Sequence, residues 1–277
     1  MIYLFSDEGR RALRTLTTRS LLYAFDFDGS LAPISSDRDA FEIPPSLNEW
    51  IKKLAKRAPC AVVSGQALAD LAPQINETVP YLIGNHGIES SLTPLPTLLW
   101  AEGICAAWKR DNIATRLAET LKSVGGAVED KRYSLTVHYG AHAQKTGVRL
   151  TILTLLQQLT PEPYLIAGKS SMNVLPPGQG GKGSAVLALM RHVGQTGLCF
   201  IGDDETDEDV FKLAEGLAMG VRVGHGAESR AQFYLKHQGE IEDVLRFLVH
   251  RIDRTPEAID HGDRQSASTR KSASDLR

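Results

Sequence analysis

The stretch Tyr23–Pro33 reads YAFDFDGSLAP and places two carboxylates, one residue apart, at the end of a hydrophobic run. The apolar residues Leu21–Phe27 predict a buried β-strand, with Asp26 and Asp28 at its carboxyl end. Two carboxylates this close repel each other, so their position predicts a site in which a cation or ligand offsets the charge. Gly29 follows at once, and a residue without Cβ lets backbone N–H groups approach a ligand closely.

Strands and helices alternate on the C-terminal side of this stretch. The hydrophobic patterns predict helices at Pro44–Ala58, Gln66–Ile75, Lys182–Val193 and from about Glu208 to Ala214. They predict strands at Cys60–Gly65, Tyr81–Gly87, Leu198–Asp204 and Gly216–Val221. Repeated β-α-β units of this kind predict an α/β fold. The expected core is a doubly wound, Rossmann-like parallel sheet with helices on both faces.

The middle of the chain has a different pattern. Thr97–Ser123 predicts one long helix or two, and the alternating residues Ala127–Gly140 predict a hairpin centred near Lys131 and Arg132. A further helix and one or two strands follow. We therefore expect an inserted α+β cap domain at residues 99–176, between core segments 1–98 and 177–253, and a polar, disordered tail at 254–277.

The composition argues against several classes of protein. Of the 277 residues, 42% are hydrophobic and 23% are charged, which is ordinary for a globular protein. The net charge of -2 suggests neither a nucleic-acid nor a membrane partner, and no apolar run approaches the roughly 20 residues of a membrane span. The N-terminus does not resemble a secretory signal, and the three cysteines lie in apolar runs, which is typical of buried thiols. We expect a cytoplasmic protein, and the sequence predicts no oligomeric state.

Acidic or hydroxyl side chains follow three of the predicted strands. Asp26 and Asp28 end the first, Ser64 ends the second, and Asp203 and Asp204 end a later one. Ligands of doubly wound sheets bind outside the carboxyl ends of the strands, so we expect these groups to meet at one edge. Clustered carboxylates need a cation, and their hard oxygen atoms suit Mg²⁺. The alternative interpretation is that each aspartate is a separate helix N-cap.

Lys182 stands in the glycine-rich stretch GQGGKGSAV, at the start of a predicted helix. The stretch does not match the P-loop pattern, because Pro176 occupies a required glycine position and Gly183 follows the lysine. A lysine beside clustered carboxylates favours phosphoryl chemistry. One carboxylate can attack phosphorus while a second transfers protons, with cations offsetting the charge of an anionic substrate.

These residues resemble the motifs of the haloacid dehalogenase superfamily. DFDGS is similar to its first motif, Ser64 to its second, Lys182 to its third and GDDETDEDVF (Gly202–Phe211) to its fourth. The finer resemblance, over about Leu21–Val223, is to the trehalose-6-phosphate phosphatases, which are similar in DFDGSLAPI, GNHGIE and VEDKRYSLTVHY. The chain has VVSGQ where that family usually has V-S-G-R.

The resemblance implies a role for each matching residue. Asp26 would be the nucleophile and Asp28 the general acid and base, while Ser64 and Lys182 would hold phosphate. Mg²⁺ would be bound by Asp26, the carbonyl group of Asp28 and Asp203, supported by Asp204 and Asp207. The remaining residues implied to contact the phosphate or the sugar are Gly29, Gly65, Asn85, His86, Glu129, Lys131, His138, Lys169 and Asn173.

The match weakens in the cap. The family's cap motifs are E-x-K, H-Y-R and K-x-x-x-E-x-[RK]-P, and this chain has Gly140, Asn173 and Leu175 at the positions of the arginine, the glutamate and the second basic residue. Sites that hydrogen-bond hydroxyl groups discriminate steeply when such residues change. The expected substrate is therefore a small sugar phosphate: either trehalose 6-phosphate or another phosphorylated disaccharide or glycoside. Residues near in sequence that would compensate are Arg132, His142 and Lys145.

Structural interpretations stand beside the functional ones. His86 would be a loop histidine that bonds the backbone, His138 a packed strand residue, and Glu129 with Lys131 an exposed cross-strand pair. Two other functional classes are alternatives, and the first of them also uses strand-end aspartates. A phospho-acceptor signalling domain lacks the second carboxylate and the large insert. A catalytically silent sugar-phosphate sensor would not need Asp26, Asp28, Lys182 and Asp203 together.

Overall fold

The computed structural model describes residues 1–17, 20–33, 42–75, 77–140, 147–168, 170–178, 181–213 and 217–254. Its strands are β1 Ile2–Tyr3, β2 Leu21–Asp26, β3 Cys60–Val63, β4 Tyr81–Gly84, β5 Glu89–Ser90, β6 Ala127–Asp130, β7 Leu135–His138, β8 Tyr164–Ala167, β9 Ser171–Leu175, β10 Gly197–Gly202, β11 Ala218–Val223 and β12 Phe233–Leu235. Its helices are α1 Asp7–Leu16, α2 Pro45–Ala55, α3 Leu68–Ile75, α4 Leu95–Arg110, α5 Asn112–Lys122, α6 Val148–Leu156, α7 Gly181–His192, α8 Glu208–Phe211 and α9 Glu240–Ile252.

The main sheet has the order β1-β12-β11-β10-β2-β3-β4-β5. Neighbouring strands are parallel except β4 and β5, which are antiparallel. Strand β2 is buried at every residue because side chains on both faces meet helices. Tyr23 and Phe25 pack in the cluster that includes α1, α2 and α9, whereas Leu22 and Ala24 pack in the cluster that includes α7 and α8. The predicted α/β fold with helices on both faces is confirmed.

The middle of the chain forms a second, antiparallel sheet of order β6-β7-β9-β8. One face carries apolar side chains, including Val137 and Val174, which pack with residues of α4, α5 and α6 around the buried Trp108. Residues opposite each other across paired strands share a face, so Glu129, Thr136 and Asn173 lie in one row on the other face. One face of this sheet thus packs on the cluster around Trp108, and the other carries the polar row together with Ile166 and Leu175, which pack with Ala101 of α4.

Most predicted elements form where the hydrophobic pattern places them. Of the one or two helices predicted over Thr97–Ser123, the structure has two, because Asp111 ends α4 and its side chain accepts a hydrogen bond from the N–H of Ile113 to begin α5. Helix α4 begins at Leu95, so the predicted domain boundary at residue 99 falls inside it. The division into core and cap stays a prediction, and the predicted tail lies outside the described residues after residue 254.

None of the helices that the structure describes is both long and apolar enough to cross a lipid bilayer.

Candidate active site

The predicted site residues meet where the strand order changes direction. Strand β2 lies between β10 and β3. The next strand in sequence is added on one side of β2 and the later strand β10 on the other, which opens a crevice at Asp26. Asp203 directly follows β10, and Ser64 directly follows β3. This is the crevice in which doubly wound sheets bind their ligands.

Three carboxylates and one lysine form the buried centre of this edge. Oxygen atoms of Asp26, Asp203 and Asp207 lie within 4.8 Å of one another. The Nζ atom of Lys182, itself 2% exposed, donates to Asp26 Oδ1 at 2.6 Å and to Asp207 Oδ1 at 2.7 Å. Burial, and then the charge of Asp207, raises the pKa of Asp26, while Lys182 opposes the shift. One lysine faces three carboxylates, so the centre has a deficit of positive charge.

The donor set fits a hard divalent cation. The cluster offers buried carboxylate oxygens, the ligand type that Mg²⁺ prefers, in the place where positive charge is deficient. Asp207 makes its contacts with the protein. Its Oδ1 is bonded to Lys182, and its Oδ2 accepts from the N–H groups of Asp203 and Asp204 at 2.9 and 3.0 Å. Asp204 in turn caps the 3₁₀ turn Glu205–Asp207. Both residues thus shape the loop that carries Asp203.

The carboxylate of Asp28 points to a different set of neighbours. Its oxygens lie 2.9 and 3.0 Å from Nε2 of Gln66, and Oδ2 lies 3.4 Å from Oγ of Ser64. Burial raises the pKa of Asp28, and the hydrogen bond from Gln66 is the largest opposing effect. The two aspartates of the opening stretch therefore have separate hydrogen-bonding environments.

Gly29 is needed for a reason that the sequence did not reveal. Its φ is +88°, and a Cβ at this position would lie 2.5 Å from the carboxylate of Asp203. Its N–H group donates to the carbonyl oxygen of Ala32 at 2.8 Å. The predicted role, in which a missing Cβ lets backbone N–H groups approach the phosphoryl oxygens, stays a prediction. The structure adds a second reason for the glycine, which lets the carboxylate of Asp203 come close.

His86 lies against Gly65 beneath the same edge. A Cβ on Gly65 would be 2.4 Å from Cε1 of the ring, so the glycine makes room for the imidazole. The ring is buried, and neither nitrogen has a hydrogen-bond partner within the described part of the chain. Burial, and then the charges of Lys131 and Lys182, holds the pKa of His86 well below its usual value; the nearby amide of Asn173 opposes this.

The side chain of Asn85 makes hydrogen bonds that connect the core to the insert. Its amide nitrogen donates to Glu89 Oε2 at 2.8 Å and contacts the carbonyl oxygen of Lys131 at 3.3 Å. Its amide oxygen accepts from Oγ of Ser134 at 2.6 Å in a fully buried contact. From the same hairpin, Lys131 donates to the carbonyl oxygen of Gly65 at 3.0 Å. The interpretation of Glu129 and Lys131 as an exposed pair is therefore wrong.

The other predicted cap residues share the polar face of the second sheet. His138 Nε2 and Glu129 Oε2 are 2.7 Å apart, so His138 is not a packed core residue. Asn173 accepts from Oγ1 of Thr136 at 2.9 Å, and its amide nitrogen lies 3.4 Å from the carbonyl oxygen of Ile166. Lys169 lies outside the described residues, as do His142 and Lys145.

Sequence reasoning missed two residues that the structure places at the site. Gln66 contacts Asp28 directly, and Ser134 fixes Asn85. Gln66 had a signal in the sequence, because it stands two residues after Ser64 at the point where the chain departs from V-S-G-R. Ser134 had none, since 49 residues separate it from Asn85.

Comparisons with a family model, with related sequences and with solved structures all match trehalose-phosphate phosphatases. The Trehalose-phosphatase family model matches residues 24–238. Trehalose 6-phosphate phosphatase RA3 of Zea mays is 24% identical over 256 residues, which cover 84% of this chain and 71% of that protein. Trehalose-phosphate phosphatase of Mycobacterium tuberculosis is 29% identical over 252 residues, which cover 87% of this chain but 64% of that protein. The C-terminal domain of Candida albicans trehalose-6-phosphate phosphatase has the same fold, with a TM-score of 0.70, 20% identity, and coverage of 87% of this chain and 97% of that one.

Proposed function

The chain belongs to the trehalose-phosphatase family of phosphomonoester hydrolases, within the haloacid dehalogenase superfamily, and on this basis we propose that it hydrolyses trehalose 6-phosphate to trehalose and phosphate. The observation that carries the proposal is the separation of the two aspartates. Asp26 contacts Lys182 in the buried carboxylate cluster, and Asp28 contacts Gln66 and Ser64 beside it. This separation supports the proposal that one carboxylate attacks phosphorus and the other transfers protons.

In the first step, a carboxylate oxygen of Asp26 attacks phosphorus while the bond from phosphorus to the sugar oxygen breaks. Asp28 donates its proton to that oxygen, and the sugar leaves as a neutral alcohol. In the second step, Asp28 takes a proton from water, whose oxygen attacks phosphorus. The bond to Asp26 breaks, phosphate is released, and both aspartates return to their starting states.

The cluster would hold Mg²⁺ through Asp26, Asp203 and the carbonyl group of Asp28, with Asp204 and Asp207 orienting the loop. A bound Mg²⁺ ion would offset the repulsion between the anionic nucleophile and the anionic phosphoryl group. Lys182 contributes a fixed positive charge beside Asp26, which favours the ionised carboxylate that attack requires. Ser64 stands at the end of β3 on the Asp28 side and would hold a phosphoryl oxygen.

The insert would supply the sugar site, as a cap over the core. Its polar row lies on the face opposite the apolar cluster around Trp108, and the Lys131–Gly65 and Ser134–Asn85 contacts bring the β6–β7 hairpin to the core loops that carry the motifs. Sugar hydroxyl groups would then meet Glu129, Lys131, His138 and Asn173 on one side and His86 on the other.

A different phosphorylated disaccharide or glycoside is the second candidate substrate. Gly140, at the family's arginine position, is exposed, and a Cβ there would meet nothing within 4 Å among the described residues. Asn173, at the glutamate position, already contacts Thr136 and Ile166. Arg132 does not compensate in this structure, because it pairs with Glu102 at 3.1 Å on the surface.

Turnover on a panel of sugar phosphates in Mg²⁺ tests the proposal. The panel contains trehalose 6-phosphate, sucrose 6-phosphate, glucose 6-phosphate and a glucosylglycerol phosphate, and Asp26→Asn is the negative control. We expect the highest kcat/KM on trehalose 6-phosphate and no turnover by the variant. A higher kcat/KM on another sugar phosphate would reject trehalose 6-phosphate as the substrate. Turnover that survives Asp26→Asn would reject the mechanism.

A further inference from the structure

Two glutamines form a directed chain of hydrogen bonds that ends on Asp28. Nε2 of Gln66 lies 2.9 and 3.0 Å from the two oxygens of Asp28. Oε1 of Gln66 accepts from Nε2 of Gln74 at 2.9 Å, and the same nitrogen donates to the carbonyl oxygen of Asp70 at 2.7 Å. The chain therefore runs from the backbone of α3 through two side-chain amides to the carboxylate.

The chemistry of the end groups fixes the direction of every bond in this chain. The carbonyl oxygen of Asp70 accepts hydrogen bonds and donates none, so the nitrogen of Gln74 must face it, whatever the protonation state of Asp28. The nitrogen of Gln66 must face Asp28, its oxygen must face away, and Gln74 must present its own nitrogen to that oxygen. This orientation leaves Oε1 of Gln74 buried without a hydrogen-bond partner among the described residues. A buried oxygen without a partner costs free energy, so Gln74 keeps this orientation because its nitrogen is needed to donate to Gln66 and Asp70.

The backbone of Gln66 is held as firmly as its side chain. Its N–H donates to Oγ of Ser64 at 3.0 Å, and its carbonyl oxygen accepts from the N–H of Asn85 at 2.7 Å. Both partners belong to motifs at the sheet edge. Gln66 is therefore anchored at three points and contacts both oxygens of Asp28, so its amide limits the rotation of that carboxylate.

We propose that Gln66 is a positioning residue for Asp28, that it holds the carboxylate in the orientation for proton transfer to the leaving sugar oxygen, and that Gln74 fixes the orientation of Gln66. This inference rests on the proposed function, in which Asp28 is the general acid. It assigns to this chain a neutral amide at a position where the family usually has a guanidinium group. Both groups donate to a carboxylate, but the amide adds no charge beside it.

The test compares two leaving groups. Departure of a sugar oxygen needs a proton, whereas p-nitrophenolate leaves readily without one. Because kcat/KM reports formation of the phosphorylated enzyme, a positioning loss at Asp28 lowers it for the sugar phosphate far more than for p-nitrophenyl phosphate. A general loss of structure lowers both values together. The measured quantity is the ratio of kcat/KM for the best sugar phosphate of the panel to kcat/KM for p-nitrophenyl phosphate.

Four variants and one control define the expected pattern. Gln66→Leu removes the amide at similar volume and should lower the ratio about 10- to 100-fold, and Gln74→Leu should lower it less, in the same direction. Gln66→Arg keeps N–H donors and should retain most of the ratio. Gln66→Glu places a carboxylate against Asp28 and should lower the ratio at least as much as Gln66→Leu. Gln158→Leu, a change at an exposed glutamine of the insert, should leave the ratio unchanged.

The outcomes separate this inference from the function on which it rests. Asp28→Asn is measured in the same way, and it should lower the ratio more than any Gln66 variant. If Asp28→Asn lowers the ratio and Gln66→Leu does not, the positioning role is wrong and the proposed function stands. If Asp28→Asn leaves the ratio unchanged, Asp28 is not the general acid and both proposals fail. A Gln66→Leu enzyme that loses both activities equally also rejects positioning, because a structural role predicts that result.

Discussion

At the residue scale, glycines with positive φ differ in what surrounds them. Gly29 has a φ of +88° and faces the carboxylate of Asp203, whereas Gly125 has a φ of +66°, and among the described residues nothing lies within 4 Å of an added Cβ there. An alanine would strain the backbone at both positions, but of these two only an alanine at Gly29 would also clash with the proposed metal site. The pair therefore separates the two effects.

Gly29→Ala should reduce kcat by about 100-fold or more, because the new methyl group displaces the carboxylate of Asp203 or the loop that carries it. Gly125→Ala should cost about 1–2 kcal/mol of unfolding free energy through backbone strain and leave kcat unchanged. Steady-state kinetics with saturating Mg²⁺ and urea unfolding measure the two effects. Wild-type kcat in Gly29→Ala would show that the close approach to Asp203 is not required.

His86 predicts a pH dependence of stability. Burial lowers its pKa in the folded state, so between that value and the unfolded value near 6.5 the unfolded chain binds more protons. The contribution of a neutral His86 is present above pH 6.5 and is lost as the pH falls below it. The loss between pH 7.5 and 5.5 should be about 1 kcal/mol of unfolding free energy.

His86→Asn is the matched variant, because asparagine tolerates the positive φ of 55° at this position and does not titrate. Urea unfolding of both proteins at the two pH values removes the contribution of the other histidines by difference. An equal pH dependence in the two proteins would mean that His86 is not held neutral by the fold.

At the scale of elements, the hydrophobic pattern predicted the strands that are buried on both faces of the sheet. Strands β2, β3 and β10 are continuous apolar runs, so the order of elements around the site followed from the sequence. Strands β1 and β12 and helices α1 and α9 were not predicted. Strand β1 has two residues and β12 has three, which is too short for a periodic signal.

Helix α4 shows the limit of spacing arguments. Trp100 and Trp108 are eight residues apart, a spacing that predicts a common face for their side chains. At about 100° per residue, eight steps leave the two side chains about 80° apart. Trp108 is buried in the insert and Trp100 is 43% exposed, so the expectation of a common face is wrong.

The hairpin between β6 and β7 is fixed to the core by a buried hydrogen bond. Ser134→Ala would leave Oδ1 of Asn85 buried without its donor, so we expect a loss of about 1–3 kcal/mol of unfolding free energy. In Ser123→Ala the lost hydroxyl donates to the carbonyl oxygen of Thr120 at an exposed helix end, and the change should stay within about 0.5 kcal/mol. Equal effects in urea unfolding would show that the Asn85–Ser134 bond does not fasten the hairpin.

At the scale of the whole molecule, the site could be predicted in part because its motifs are local. Asp26, Ser64, Lys182 and Asp203 each stand at a strand end or a helix start that the sequence reveals, and the parallel sheet brings such ends together. Contacts between the core and the insert, such as Asn85 with Ser134, depend on how two units pack. No periodicity in the sequence carries that information.

The cysteines test whether the insert unfolds as a separate unit. All three are buried, Cys60 and Cys199 in the main core and Cys105 in the insert, and burial raises the pKa of Cys105 and Cys199 to about 12. No thiol should react with iodoacetamide in the native protein at pH 8, because the thiolate is the reactive form. In a urea series, Cys105 should react at lower urea than the other two, since the insert has the smaller core.

Peptide mass spectrometry after each urea step locates the alkylated thiol. Reaction of the three cysteines over one common transition would contradict a separately unfolding insert, and a reactive thiol in the native protein would contradict the burial.

The most direct test of the central claim is to trap the phosphorylated enzyme. Asp28→Asn with p-nitrophenyl phosphate should accumulate the intermediate, because the leaving group needs no acid while the second step lacks its base. Rapid quench, borohydride reduction and peptide mapping then identify the modified side chain, with Asp26→Asn as the control. We predict modification of Asp26 and of no other residue; modification of a different side chain, or turnover by Asp26→Asn, would contradict the account.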